Sequence, residues 1–278
     1  MAMSEIGVCS WSLKVRSVGE LQNLLREVGV ACTHVALGDP NHAAWDEGPD
    51  LVTALKKANL DISATMIGYA GEDYTTPETI KRTAGFGDPA TRRERLEVFK
   101  RAVEMTAELE VEVLASHAGF IPDPADPERA SFLDSLGEAA DYAEQKGVIF
   151  AMETGQETAE LLRRTLDELS MESLKVNFDP ANMILYDMGD PIHAVELLGA
   201  DIVHVHLKDG CGPETPGAWG AEVPLGEGDV GMSEFLEALA GSEYLGPLIV
   251  ERAVEDQAQA VADIRNGVHL LRRLITGA

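Results

Sequence analysis

Short apolar runs alternate with longer amphipathic stretches from one end of the chain to the other. The runs are IGVCSWS (6–12), HVALG (34–38), DISATMIGY (61–69), VEVLASHA (111–118), VIFAMET (148–154), LKVNFDP (174–180), IVHVHLKD (202–209) and PLIVERA (247–253). Each predicts a strand. The stretches between them predict helices: Leu96, Phe99, Val103 and Ala107 recur at helical spacing, and Val261, Ile264, Val268, Leu271 and Leu274 form one stripe near the C-terminal end. Gly29 and Gly147 follow such stretches, where C-cap glycines belong. Strict alternation of strand and helix implies a parallel sheet with right-handed crossovers. Eight repeats closing on themselves make an α/β protein of the (β/α)₈ TIM-barrel type, and an open doubly wound sheet is the competitor. No Gly-x-Gly-x-x-Gly follows the first strand, which counts against a dinucleotide-binding sheet. The glycine-rich PLGEGDVG (224–231) follows the seventh run and lacks the Lys and Ser/Thr of a phosphate loop, so a turn is its simplest reading. Longer loops are expected at 70–91 and 210–232. Residues 1–278 read as a single barrel domain, a fold that needs about 250 residues.

Charge narrows the partners. With 48 acidic and 22 basic residues the formal net charge is −26. Such a surface repels phosphate polyanions, so sequence-independent nucleic-acid binding and attachment to an anionic membrane are both disfavoured. No apolar run approaches the roughly 20 residues of a membrane span. Cys9, Cys32 and Cys211 are too few and too scattered for a disulfide framework, and no C-x-x-C pair suggests structural zinc. The opening MAMSEIGVCSWS lacks a basic segment followed by an apolar one, so a cytoplasmic location is expected.

In barrels of this kind the active site forms where the strands end. The fifth run closes with Glu153, the sixth with Asp179, the seventh with His206 and the eighth with Glu251. Three carboxylates and an imidazole suit one divalent cation of borderline hardness: Mn, Co, Mg, Fe or Zn. A lone carboxylate at a strand end is more often a helix cap or simply solvated. Four ligand types on consecutive strands outweigh that reading. Alternation places Lys175, Asn177 and Asp179 inside the barrel with Val176 and Phe178 facing the helices. It likewise places His204, His206 and Lys208 inside, with Val203, Val205 and Leu207 outward. His204 sits one layer deeper and is expected to be a hydrogen-bonded core residue. His34, His42, His193 and His269 are expected at the surface or in packing, and Trp11 and Met66 in the core.

The stretches CSWS (9–12), TMIGYAGEDY (65–74), SHAGFIP (116–122), ETGQET (153–158), NFDPANMILY (177–186), HVHLKD (204–209), PLGEGDV (224–230) and ERAVEDQAQAVADI (251–264) bring a resemblance into view. Over nearly its whole length the chain resembles the sugar phosphate isomerase/epimerase family with the xylose-isomerase-like barrel. That group includes ketose 3-epimerases and inosose dehydratases, and is distantly related to the endonuclease IV nucleases. The resemblance implies that Glu153, Asp179, His206 and Glu251 hold one divalent metal ion. It also implies that Glu153 and Glu251 are the catalytic pair: one removes the proton α to a carbonyl and the other returns a proton from the opposite side. The implied activity is that of a metal-dependent isomerase or epimerase acting on a ketose or keto-cyclitol through an enediolate. A lyase of the same fold, an inosose-type dehydratase or keto-glycoside β-eliminase, would share the first step.

His117, Asn182, Lys208 and Trp219 are candidate substrate contacts. Without a cluster of Arg and Lys, an unphosphorylated sugar or cyclitol is favoured as the small-molecule partner. Asn182 stands where the ketose epimerases carry a histidine, and an amide cannot exchange a proton near neutral pH. The same change, with Gly231 two residues after Asp229, counts against the nucleases and their three-zinc cluster. A non-catalytic sugar-binding barrel is the reading from another class. Relatives are often dimers or tetramers, but no stretch here marks a homo-oligomer interface.

Overall fold

All eight apolar runs become strands, and each can be apolar throughout because it is covered on both faces, by helices outside and by the other strands inside. In the computed structural model, which describes residues 5–38, 42 and 44–277, they are β1 (Ile6–Cys9), β2 (Cys32–Gly38), β3 (Asp61–Ile67), β4 (Val113–Ser116), β5 (Ile149–Glu153), β6 (Leu174–Phe178), β7 (Ile202–Leu207) and β10 (Leu248–Val250). They pair in parallel in the order β1-β2-β3-β4-β5-β6-β7-β10 and close back onto β1. The open-sheet alternative is thereby set aside. The connecting helices are α1 (Val18–Val28), α2 (Leu51–Ala58), α3 (Pro77–Thr83), α4 (Arg92–Glu108), α5 (Arg129–Gln145), α6 (Ala159–Leu169), α7 (Pro180–Leu185), α8 (Pro191–Leu198), α9 (Met232–Gly241) and α10 (Gln257–Thr276).

Two apolar shells result. The outer one packs strand residues such as Val35, Phe150, Val176, Phe178, Val205 and Val250 against the helices, including Leu96, Phe99 and Val103 of α4 and Val261, Ile264, Val268 and Leu271 of α10. The inner one is smaller and includes Cys9, Cys32, Ala64, Met66, Ala115, Ala151 and Ile249. Helix ends follow local chemistry. The Ser17 hydroxyl accepts from the Glu20 N–H at the start of α1, and Gly29 ends it at φ 81°.

Three local details depart from the sequence pattern. Val203 packs against the inner shell rather than the helices, because β6 and β7 slip register there: Val176 faces Ile202 while Asn177 faces His204. The extra residue is a bulge, after which alternation resumes and His206 still points inward. The 70–91 loop contains α3, capped by Thr76. The 210–232 loop folds into an antiparallel hairpin of β8 (Asp209–Cys211) and β9 (Ala221–Val223). The glycine-rich stretch after it wraps a carboxylate instead of a phosphate. Buried Asp209 accepts from the Gly226 N–H at 2.8 Å and the Val230 N–H at 3.3 Å. A Cβ on Gly228 would lie 2.2 Å from Asp209 Oδ1. Among the described residues, no helix is long and apolar enough to cross a membrane.

Candidate functional site

The four strand-closing ligands converge at one mouth of the barrel. Glu153, Asp179, His206 and Glu251 each bring a donor atom within 4.8 Å of the others, with the first three buried and Glu251 nearly so. Their placement is fixed locally. Asp179 ends β6 and caps α7: its Oδ1 accepts from the Ala181 and Asn182 N–H groups at 2.9 and 3.0 Å, which leaves Oδ2 facing the cluster. Pro180 at the first helical position makes that entry stiff. The Thr154 hydroxyl accepts from the Asp179 N–H at 2.8 Å and so ties the ends of β5 and β6 together. Gly155 lies at φ 127°, and a Cβ there would come within 2.2 Å of Asn182 Cβ. Only glycine lets the β5 turn pass this close to α7.

Each carboxylate is held by one oxygen and exposes another to the cluster. Glu153 Oε1 accepts from Asn182 Nδ2 at 3.0 Å, while its Oε2 lies 3.6 Å from His117 Nε2. Glu251 Oε1 accepts from the Trp11 indole at 3.2 Å and pairs with Lys208 Nζ at 3.3 Å. Lys208 Nζ also sits 2.8 Å from Asp179 Oδ2. The His206 Nδ1 atom faces Glu251 Oε2 at 2.9 Å and Glu153 Oε1 at 3.3 Å. Its other nitrogen, Nε2, meets His34 Nδ1 at 2.8 Å. Glu153 Oε2 is buried without a hydrogen-bond donor, and Asp179 Oδ2 and Glu251 Oε2 are buried facing the Lys208 ammonium and the His206 ring as ion-pair contacts without an aligned hydrogen bond.

That donor set fits a divalent cation. Three buried carboxylates gathered this closely are costly unless more positive charge lies among them than Lys208 alone supplies. Three carboxylates would be balanced by the Lys208 ammonium and a bound dication together, with His206 ligating as the neutral imidazole. The titration behaviour reflects the same crowding. Burial pushes Asp179 up to about 6 against the pull of Lys208. Burial also opposes ionisation of Glu251, but Lys208 and His206 outweigh it and hold that carboxyl well below its usual range. For Glu153, His117 and His206 overcome burial in the same direction. Burial would lower the His206 imidazole, yet Cys9 and Glu153 hold it well above its usual value.

All eight residues singled out in the sequence line or support one cavity of about 530 Å³. Its wall includes Trp11, Met66, His117, Glu153, Asn182, Lys208, Trp219 and Glu251, and Asp179 and His206 complete the buried cluster that Glu153 and Glu251 bring to it. Lys208 bridges two of the carboxylates, Asn182 orients a third, His117 approaches Glu153, and Trp219 lies on the hairpin side. His204 is one layer deeper, as expected: its Nδ1 meets Asn177 Oδ1 at 2.8 Å and its Nε2 meets Ser63 Oγ at 3.0 Å. Three residues have roles that their position in apolar runs concealed. His34 is fully buried beneath His206, Trp11 donates to Glu251, and Met66 lines the cavity. Nothing in the spacing of β2 marks His34, since its partner arrives from β7 across the barrel.

A family model described as the xylose isomerase-like TIM barrel matches residues 23–274. The crystal structure of a xylose isomerase domain protein from Planctomyces limnophilus is similar with TM-score 0.88 at 28% identity, covering 98% of this chain and 98% of that one. An uncharacterized protein of Methanocaldococcus jannaschii is 27% identical in a 237-position alignment that covers 72% of this chain and 78% of that protein. The structure of an L-ribulose 3-epimerase shares the fold at 17% identity, with TM-score 0.73 over 99% of this chain and 95% of that one.

Proposed function

The chain belongs to the xylose isomerase-like TIM barrel family, and from that premise we propose that it is a sugar-modifying enzyme, a divalent-metal-dependent isomerase or epimerase of ketoses or keto-cyclitols. The observation that carries this reading is the buried cluster of three carboxylates and one imidazole, within 4.8 Å of one another, which opens through Glu153 and Glu251 onto a 530 Å³ cavity. Glu153, Asp179, His206 and Glu251 would hold the cation. When bound, it supplies a Lewis acid for the substrate carbonyl.

The remaining chemistry belongs to the chain. Glu153 and Glu251 enter from β5 and β10, three strands apart around the ring, so they flank a ligand seated between them. Both are held ionised by neighbouring positive groups, which suits one of them to abstract the α-proton. Glu153 keeps Oε2 free of donors while Asn182 fixes its Oε1, so it can take or return a proton without losing its orientation. The Lys208 ammonium lies where negative charge grows as the enediolate forms, and its two carboxylate partners keep it protonated. Asn182 donates a hydrogen bond but carries no proton itself. Proton return to the neighbouring carbon gives isomerisation, and return to the same carbon gives epimerisation.

Elemental mass spectrometry before and after manganese loading tests the centre, and deuterium uptake from solvent into a panel of ketoses and inososes tests the chemistry. The expected result is about one ion per chain, lost in Glu153→Gln/Asp179→Asn, with uptake that the same variant abolishes. No ion bound after loading would overturn the reading. An enone absorbance in place of label uptake would assign the lyase reaction instead.

A further inference from the structure

Part of the cavity wall takes no part in that proton transfer. Its corner is formed by Trp219 and Tyr186, with ring centroids 4.8 Å apart and planes inclined at 65°, and Phe120 packs edge-on against Tyr186 at 5.8 Å. The Trp219 Nε1–H is buried and donates to nothing, and His117 Nδ1 on the same cavity is likewise without a partner. An indole N–H buried beside open space calls for an acceptor that arrives with a ligand.

The corner is built in advance. Trp219 sits in the turn of the β8–β9 hairpin, where the Gly220 N–H donates to the Leu185 carbonyl at 3.1 Å. A Cβ on Gly220 would lie 2.4 Å from the Cys211 carbonyl oxygen and 2.9 Å from Leu185 Cα, so only glycine allows the turn to lie this flat on α7. On its other side the hairpin is fastened by Glu222, which accepts from Arg252 Nη1 at 2.8 Å and the Ala253 N–H at 2.7 Å. Arg252 is in turn fixed by Asp263 at 2.9 Å.

Charge and size say what the corner takes. Lys208 is committed to Asp179 and Glu251, and Arg252 to Glu222 and Asp263. Lys14 shares the wall with Glu255, so the cavity offers no surplus of positive charge for a phosphate or a sugar acid. Its 530 Å³ lies within the roughly 300–1,000 Å³ of pockets that enclose drug-sized ligands, more than one pyranose ring fills. Aromatic faces with one inward N–H suit the C–H face and hydroxyls of a second ring.

We infer that Trp219 and Tyr186 form a subsite for a second ring, so that the substrate is a neutral glycoside whose reacting sugar retains a free carbonyl: that sugar lies at the carboxylate cluster and the neighbouring sugar or aglycone on the aromatic corner. Which end reacts rests on the function proposed above; the second ring rests on the corner itself.

Calorimetric titration of the full chain, with and without manganese, tests this. The probes are glucose, galactose and mannose, their p-nitrophenyl glycosides, the disaccharides maltose, cellobiose and lactose, and the hexose 6-phosphates. At least one glycoside or disaccharide should bind about ten- to a hundredfold more tightly than its parent hexose. Trp219→Ala should erase that margin by weakening glycosides and disaccharides at least tenfold more than the parent hexoses, and Trp219→Phe should keep most of it. Equal affinity for hexoses and glycosides, preference for the phosphates, or equal weakening of all ligands in Trp219→Ala would each overturn the subsite. The aryl and disaccharide arms separate an aglycone from a second sugar. Metal binding reports on the carboxylate cluster alone, so a Trp219-dependent margin without bound metal would sink the proposed function and keep the subsite.

Discussion

The two mouths of the barrel carry acidic clusters of opposite character. At one end Glu153, Asp179 and Glu251 gather around His206, almost sealed from solvent, with Lys208 among them. At the other, Glu5 and Asp61 meet over Cys32 with both carboxylates exposed. The first set is tethered by a helix cap, an indole, an amide and an ammonium. Among the described residues the second forms no ion pair with a cationic side chain, and burial together with Asp61 raises the Glu5 carboxyl above its usual value. Acidic residues alone therefore do not make a centre. Burial, an oxygen left without a donor and fixed orientation separate the two ends, and substitutions at each should have opposite signs.

The largest effect is expected from Asp179→Asn. It keeps an oxygen to cap α7 but removes a ligand charge, so turnover should fall by about 10³-fold or more while the melting temperature changes little. Steady-state kinetics and calorimetry on one preparation check this. Turnover within tenfold of the parent would place the chemistry elsewhere.

Next comes Lys208→Met. Without the ammonium, buried Asp179 and Glu251 lose their shared ion-pair partner, and the metal-free protein should lose on the order of 3–5 kcal/mol. Manganese should restore much of that loss, so the rise in melting temperature on loading should be larger in the variant than in the parent. An unchanged stability in chelator would mean that Lys208 is not the counter-charge.

A smaller change tests the layer beneath. With His34 Nδ1 accepting from His206 Nε2–H, the His206 Nδ1 lone pair is left facing the carboxylates. Burial and His206 push His34 down to about 3, so it stays neutral and able to accept. His34→Phe should weaken manganese binding about ten- to a hundredfold, and His34→Gln, which can still accept, should recover part of it. Competition titration against a metal indicator reads both.

These contrasts also explain what the sequence could reveal. The eight strands were legible because each is a short apolar run, and the four candidate ligands because each closes such a run at the same end. Lys208, Asn182 and Trp219 were legible from the motifs around them. His34 and Trp11 were not, because an aromatic or imidazole side chain inside an apolar run looks like packing until closure brings β7 or β10 against it. The register slip at Val203 was hidden for a related reason: a bulge adds one residue to a strand without changing its composition. The hairpin at 209–223 was hidden by the brevity of its strands, three residues each.

The smallest effect lies at the opposite mouth and has the reverse sign. Glu5 binds its proton more tightly in the folded chain than in the unfolded one, because of burial and of Asp61 beside it. A carboxyl raised in this way costs stability once pH exceeds its folded value, and that cost disappears as pH falls below the unfolded value near 4.5. Asp61→Asn should therefore stabilise the protein slightly at pH 7, by no more than about 0.5 kcal/mol at this solvent-exposed site. The gain should shrink below pH 4.5 and in high salt, where the repulsion is neutralised or screened. Thermal melts of parent and variant at pH 7 and pH 4 read it directly. Manganese affinity should be unchanged. If Asp61→Asn instead lowered both stability and metal binding, the two mouths would be energetically linked, and the balanced centre could not be told from a merely acidic rim.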